Sequence, residues 1–440
     1  MKAHHSLPEE PLSYLLGLET YGIKLGLEKI QILNAALDYP NRSFASIVVA
    51  GTNGKGSVAA MLERGLRAAG YRTGLFTSPH LVDLSERITI NGHPVNMTIL
   101  TQTISVIRNE INALLRTGRF DSPPTFFEML TAIALSIFRL KQVQVAILEV
   151  GMGGRFDATN VVSPVAVAIP SIDMDHQQFL GNTIEEIAFE KAGVIDSESV
   201  VVTAETKPDA RNVLQRVSQQ RNAKLIDVDS GTRLRIKVRE GLTDVETLET
   251  PRQSYEPLTL SLRGRHQIRN ALVAVRLLEE FQIEGTSIPT LAIRQAITDV
   301  HWRGRLELFE RKPTERVLLD AAHNVAAIGA LSDYILQLSP AGLPFVFGAL
   351  RDKDVIGMVQ ALGTAANHLI CAPIENSRGW SSTELANLIR TARTDLTIEA
   401  ASDTKAALSE GWKRSPLVCA TGSIYLIGSL IQAFESNTEI

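Results

Sequence analysis

The 440-residue sequence has little cysteine. Its two thiols, Cys371 and Cys419, form neither a metal-ligand spacing nor a disulfide framework. A thiolate metal site and a disulfide-stapled secreted fold are therefore excluded, and a reducing cytoplasm is the expected location. No apolar run reaches the ~18 residues of a membrane span, so no membrane partner is expected. Pro8, Glu9, Glu10 and Pro11 interrupt the apolar core that a secretory signal needs, and His4-His5 reads as a solvated tail. Positive charge is not in excess: 44 Lys and Arg against 48 Asp and Glu leave a formal net charge of −4. That argues against a general nucleic-acid binder but leaves room for a local basic site on a small anion. Internal repeats, low-complexity tracts and coiled-coil heptads are also missing. What remains is an ordinary globular composition, 45% hydrophobic and 21% charged, long enough for two or three domains.

The chain is organised around Ser46–Ala59. Ile47 to Ala50 read as a buried strand, Gly51, Gly54 and Gly56 follow closely, and Val58 to Leu66 read as a helix. Strand, glycine-rich turn and helix are the setting of a phosphate loop. There the backbone N–H groups, the helix N-terminus and a lysine, here Lys55, face phosphate oxygens. The standard spacing is not met. Val49 stands where a glycine is wanted, Gly56 stands where Ser or Thr is wanted, and the hydroxyl arrives one residue late at Ser57. The alternative is a glycine-rich turn with an exposed lysine.

Other stretches carry candidate chemistry. Arg72 to Thr77 reads as a strand running into Ser78-Pro79-His80, and Ser78 falls where a parallel strand would end, the ligand-binding side of an open α/β sheet. Asn91-Gly92 signals a hairpin. Met97 to Leu115 is helical, and Thr125 is a candidate N-cap for a helix opening with Phe126 and Phe127. Val143 to Val150 is a buried strand whose carboxylate, Glu149, needs a partner or a metal. Gly151-Met152-Gly153-Gly154-Arg155-Phe156-Asp157 follows, then a strand expected over Val161–Pro170 and Asp173-Met174-Asp175-His176. Glu190-Lys191 lies in a helix stopped by Gly193 and, from the residues alone, reads as a surface charge pair. Thr206-Lys207-Pro208-Asp209 matches a guanine-reading pattern, yet the chain has neither a GTPase phosphate loop nor an Asp-x-x-Gly after its acidic strand. Residues 233–262 read as a minor antiparallel sheet, and a helix runs from Gly264 to Phe281. Beyond a boundary placed between Asp299 and Arg305, strands at Val317–Leu319, Phe345–Phe347, His368–Ala372 and Leu417–Ala420 form a second α/β unit.

The loop Gly51-Thr52-Asn53-Gly54-Lys55-Gly56-Ser57 resembles the ATP loop of the Mur ligase superfamily, and most closely its folate branch, the dihydrofolate and folylpolyglutamate synthases. The resemblance continues in order through Ser78-Pro79-His80, Thr125-Phe126-Phe127-Glu128, the glycine run to Asn160, Asp175-His176, Glu190-Lys191-Ala192-Gly193, Asn270, Trp302-Arg303-Gly304-Arg305 and Asp320-Ala321-Ala322-His323-Asn324. Two departures stand out: Phe156 replaces a leucine and Arg303 a proline. The resemblance implies an α/β fold of two domains. Residues 1–300 would be a phosphate-loop ATPase-like domain with a mostly parallel sheet and a small antiparallel one. Residues 301–440 would be a Rossmann-like domain that closes on it. It further implies ATP contacts from Thr52 to Ser57, Asn270, Arg305 and Asp320. Two Mg2+ ions would sit on Ser78, Glu149 and His176, the pterin-bearing substrate on Ile23, Lys24, Leu25, Thr125, Phe127, Phe156 and Asp157, and glutamate near His323. Lys191 would be carbamylated. The implied reaction is ATP-dependent joining of L-glutamate to dihydropteroate or tetrahydrofolate through an acyl phosphate, in a monomeric cytoplasmic enzyme. A folylpolyglutamate synthase without the first activity, another Mur-type ligase and a nucleotide switch are the alternatives. A cell-wall ligase is disfavoured because too few residues precede the loop for a nucleotide-sugar module.

Overall fold

The computed structural model describes residues 10–22, 24–239, 241–283 and 285–436; Ile23, one of the expected substrate residues, lies outside them. Two sheets dominate. The first uses β1 (Ala45–Val49), β2 (Thr73–Phe76), β3 (Ile88–Ile90), β4 (His93–Pro94), β5 (Val145–Glu149), β6 (Ala166–Ile169), β7 (Val200–Thr203) and β8 (Lys224–Asp227) in the order β4-β3-β2-β5-β1-β6-β7-β8. From β2 to β8 every pairing is parallel. Such strands are covered on both faces and so read as continuous apolar runs. In β1, Val48 faces a core built with the helices Met97–Arg116 and Phe126–Leu140. Its neighbours Ile47 and Val49 face a second core built with Lys55–Ala68, Arg265–Glu280 and Thr290–Thr298. Asn91 and Gly92, both at positive φ, turn β3 into β4 as the Asn-Gly pair predicts.

The minor antiparallel sheet comprises β9 (Arg233–Arg239), β10 (Leu242–Glu249), β11 (Ser254–Tyr255) and β12 (Leu258–Thr259). Its Val245, Leu248 and Tyr255 pack into the second core. A two-residue hairpin, β13 (Gln282–Ile283) with β14 (Thr286–Ser287), follows. The C-terminal sheet has β15 (Glu307–Lys312), β16 (Glu315–Leu319), β17 (Leu343–Phe347), β18 (Ala366–Cys371), β19 (Ile398–Ala400) and β20 (Leu417–Thr421) in the order β15-β16-β20-β17-β18-β19, parallel except for β15. The strand expected from Val161 is shorter than its apolar sequence implies. Asp157 caps a 3-10 turn over Ala158–Val161, Pro164 offers no N–H to a ladder, and pairing begins only at Ala166. No helix among the described residues is long and apolar enough to cross a membrane.

Candidate active site

Register places the chemistry. Val49 at the end of β1 pairs with Glu149 at the end of β5, and Phe76 in β2 pairs with Leu148. Three strand ends therefore bring the glycine loop, Ser78 and Glu149 together at the carboxyl edge of the sheet. The C-terminal sheet aims the same edge at them: Asp320 to His323 follow β16, and Gly422 and Ser423 follow β20. Between the two edges lies a cavity of about 490 Å³ whose wall includes Thr52 to Ser57, Ser78, Glu149, His176, Lys191, Arg305 and His323.

The loop is shaped by its contacts. Gly54 has φ +84°, and any Cβ there would collide with the Asn270 amide. Asn270 in turn donates to Gln267, which donates to the Ser57 hydroxyl at 3.2 Å. At Gly56 a Cβ would meet Trp302 Nε1 at 2.9 Å. The indole occupies the room a side chain would take, which explains why the standard hydroxyl position is glycine. Lys55 opens the helix Lys55–Ala68 and donates to the Gly51 and Thr52 carbonyls, each at 3.2 Å.

Lys191 is buried and donates to the same Gly51 carbonyl at 2.9 Å, while Glu190 pairs with Arg155 instead. The surface-pair reading of Glu190-Lys191 is thereby overturned. Burial, then the Lys55 charge, push the Lys191 amine down to about 7. Glu149 is buried and accepts the Ser78 amide at 3.2 Å. Burial pushes its carboxyl pKa up, with Lys55, the Ser78 amide and Arg305 pulling it back. His176, at φ +51°, has its imidazole pKa pushed down by burial and by the lysines Lys353, Lys55 and Lys191, against the pull of Asp175. Among the described residues no three His, Cys, Asp or Glu side chains form a ready-made metal cage. The donor set still suits a divalent cation: a buried carboxylate disfavoured by burial, a hydroxyl-bearing residue hydrogen-bonded to it, and an imidazole whose protonation burial disfavours, on one cavity.

The C-terminal side supplies complementary groups. Asp320 is buried behind the wall and accepts the Leu306 and Ala322 amides, both at 3.0 Å. Arg305 stabilises the ionised forms of Asp320 on its own side of the boundary and of Glu149 across it. His323 Nδ1 lies 3.0 Å from the Ala321 carbonyl, which can only accept, so the Nε2 lone pair is left free; burial and Lys353 push this histidine down to about 4. Asn53 of the loop and Asn324 exchange hydrogen bonds of 3.3 and 2.9 Å. Lys353 reaches Asp175 at 3.3 Å.

Residues 49–278 match the Mur ligase middle domain, and residues 304–424 match the Mur ligase, glutamate ligase domain. The chain belongs to the Mur ligase family. It is 33% identical over 431 residues to the dihydrofolate synthase/folylpolyglutamate synthase of Bacillus subtilis, covering 96% of this chain and 98% of that one. A solved Escherichia coli structure, described as in complex with DHPP and ADP, is similar with a TM-score of 0.85 and 28% identity over 98% of this chain and 99% of the other. A bifunctional folylpolyglutamate synthase/dihydrofolate synthase with Mn, AMPPNP and L-glutamate bound is similar with a TM-score of 0.83 and 29% identity over 98% and 100%.

In this Mur ligase the remaining expected residues lie outside the cavity wall, on separate segments. Phe127 packs on Phe76 with ring centroids 5.7 Å apart and lies against Gly151, which borders the cavity. Gly26, next to the exposed Lys24 and Leu25, donates to the Phe156 carbonyl at 3.4 Å, and Arg155 stacks 4.5 Å over the Phe156 ring. Thr125 caps its helix in a box with Glu128. Asp157 is turned into its own loop, accepting from the Met152 amide, the Thr159 amide and the Thr159 hydroxyl at 2.9, 3.0 and 2.6 Å. Sequence reasoning assigned no role to Trp302, Asp175, Lys353 or Asn324. Trp302 and Asn324 lay inside quoted motifs, and Asp175 beside His176, but their partners are distant in sequence.

Proposed function

We propose that this Mur ligase joins L-glutamate to the carboxylate of dihydropteroate, giving dihydrofolate, and extends tetrahydrofolates with further glutamates, releasing ADP and phosphate. The observation that carries the reading is the meeting of two half-sites on one cavity, the phosphate loop with Lys55 from one domain and Arg305 with His323 from the other. Lys55, the loop amides and Arg305 would hold the triphosphate while the substrate carboxylate attacks the γ-phosphorus and ADP leaves. The resulting acyl phosphate needs a dry site, and the Asn53–Asn324 and Asp175–Lys353 contacts that join the domains would keep water out. The free Nε2 of His323 is equipped to take the proton lost by the attacking glutamate amine as phosphate departs.

Ser78, Glu149 and His176 would hold divalent metal, two Mg2+ ions in this proposal, which when bound neutralises charge on the phosphoryl group. Lys191 would carry a carbamate: its amine, already pushed down to about 7, adds CO2 and releases a proton, becoming an oxygen anion suited to the second cation. Burial and Lys55 supply the depression, with no metal required. Lys24, Leu25, Phe127 and Phe156 would receive the pterin-bearing substrate, with Thr125 and Asp157 fixing the two loops that present them. A monomer acting in the cytoplasm, with the domain boundary between Asp299 and Arg305, completes the proposal. The test is ADP formation with dihydropteroate and, separately, tetrahydrofolate, each with and without glutamate. Release that needs both partners is expected, and release indifferent to them would overturn the reading.

A further inference from the structure

The run Thr206-Lys207-Pro208-Asp209 has no part in the site described above. Lys207 stands just past β7, at the cap of the helix Pro208–Gln220. Its ammonium donates to Asp173 Oδ1 at 2.7 Å and to the Ile172 carbonyl at 2.9 Å. The buried Glu205 seats it: one carboxylate oxygen accepts the Thr206 and Lys207 amides at 2.8 and 2.7 Å, and the other accepts the Ile172 amide. The held segment is zipped to the phosphate loop. The Asp173 amide donates to the Thr52 hydroxyl at 2.9 Å, that hydroxyl donates to the Asp173 carbonyl at 3.1 Å, and the Thr52 amide donates to the Ser171 carbonyl at 2.8 Å. Asp173 Oδ2 accepts from Asn53 Nδ2 at 3.4 Å, and the Asn53 side chain is the one that meets Asn324 across the domain boundary.

We infer that Lys207, seated by Glu205, is a positioning residue for the nucleotide site: it fixes Asp173, which with Thr52 fixes the phosphate loop and presents Asn53 to Asn324. Lys207 also balances the charge of a carboxylate hydrogen-bonded to the phosphate loop, a charge that would otherwise repel bound polyphosphate. The lysine side chain is 41% exposed, so its pairing is screened and adds little to global stability. Its effect therefore falls on nucleotide affinity rather than on melting. The inference rests on reading Gly51–Ser57 as a nucleotide loop.

The test is ADP affinity by calorimetry on the full chain, for Lys207→Met, Lys207→Arg, Asn324→Ala and the double variant Lys207→Met with Asn324→Ala. Lys207→Met and Asn324→Ala should each weaken ADP binding about fivefold, Lys207→Met with an unchanged melting temperature, and Lys207→Arg, which keeps charge and donors, should recover to within about twofold of the wild type. Because both residues act through Asn53, the double variant should be no weaker than the weaker single one by more than about twofold. Wild-type affinity in Lys207→Met, no recovery in Lys207→Arg, or a double loss equal to the product of the single losses would overturn the inference. Lys207→Gln serves the same arm should Lys207→Met fold poorly. ADP binding is blind to which acid and amine are joined. A wild-type chain that fails to bind ADP would overturn the nucleotide reading itself, and the variant outcomes bear on Lys207 alone.

Discussion

Restoring the hydroxyl position of the standard phosphate loop should damage this enzyme. Gly56→Ser returns a hydroxyl to the position directly after Gly-Lys, where most phosphate loops carry one. In this fold the new Cβ would lie 2.9 Å from Trp302 Nε1 and 3.1 Å from Cε2 and Cζ2. The neighbour is a rigid ring backed by an apolar core, not the loose end of a flexible chain. Overpacking of this kind costs about 1–3 kcal/mol. Removing a helical glycine returns about 0.5–1 kcal/mol, leaving a net loss of about 0–2.5 kcal/mol. Activity should fall further than stability. Trp302 lies in the segment that carries Arg305, and an ångström of misplacement there costs about 100-fold in turnover. The assay is ADP formation with dihydropteroate and glutamate, beside a thermal melt. Gly56→Ala should behave like Gly56→Ser, because the clash comes from Cβ. Near-normal turnover in either variant would refute the account of why this loop departs from the standard spacing.

Lys55→Ala should lower turnover about 10²–10³-fold with an unaltered melt, since its ammonium serves charge on phosphate rather than packing; near-normal turnover would remove the loop assignment. Enzyme depleted of CO2 should lose activity and regain it with bicarbonate, faster at about pH 8 than at about pH 6, because the neutral Lys191 amine gains population as pH rises through about 7. In the carbamate-free chain that same depression has a stability consequence. Between about 7 and the ordinary value of 10.5 the unfolded chain binds a proton that the folded one does not, so stability should rise with pH across that window; a melt that falls there would contradict the assignment. Asp157→Ala strands three donors of its own loop, so dihydropteroate affinity and melting temperature should fall together, by about 1–3 kcal/mol in stability, whereas a loss of affinity with an unchanged melt would give the carboxylate a direct role on the substrate.

Much of this was legible in the sequence because the main sheets are parallel and buried on both faces. Runs such as Val145–Glu149 and Phe345–Phe347 announce themselves by composition, and the residue after each strand then falls at the ligand edge. Strands that escape are those whose composition does not look buried. The edge strand Glu307–Lys312 is charged and mostly exposed, and Ile398–Ala400 has only three residues. Val161–Pro170 errs the other way, apolar but for Ser163 and broken by an Asp-capped turn and Pro164. Within the site, residue type pointed to Lys55 and Glu149, whereas Lys191 was singled out only by the family resemblance and its surroundings were not legible. Whether it is a surface pair or a buried amine depends on Gly51, 140 positions away. Trp302 was visible as a residue and not as a reason, because its neighbour Gly56 lies far away in the sequence.

The central claim is an acyl phosphate formed between ATP and the pteroate carboxylate. Dihydropteroate labelled with 18O in that carboxylate tests it most directly, with L-glutamate and unlabelled ATP and mass analysis of the released phosphate. The account predicts one 18O in the phosphate for each dihydrofolate formed, because the carboxylate oxygen that attacks phosphorus leaves with it when the amine displaces the acyl group. Unlabelled phosphate accompanying labelled product would contradict it.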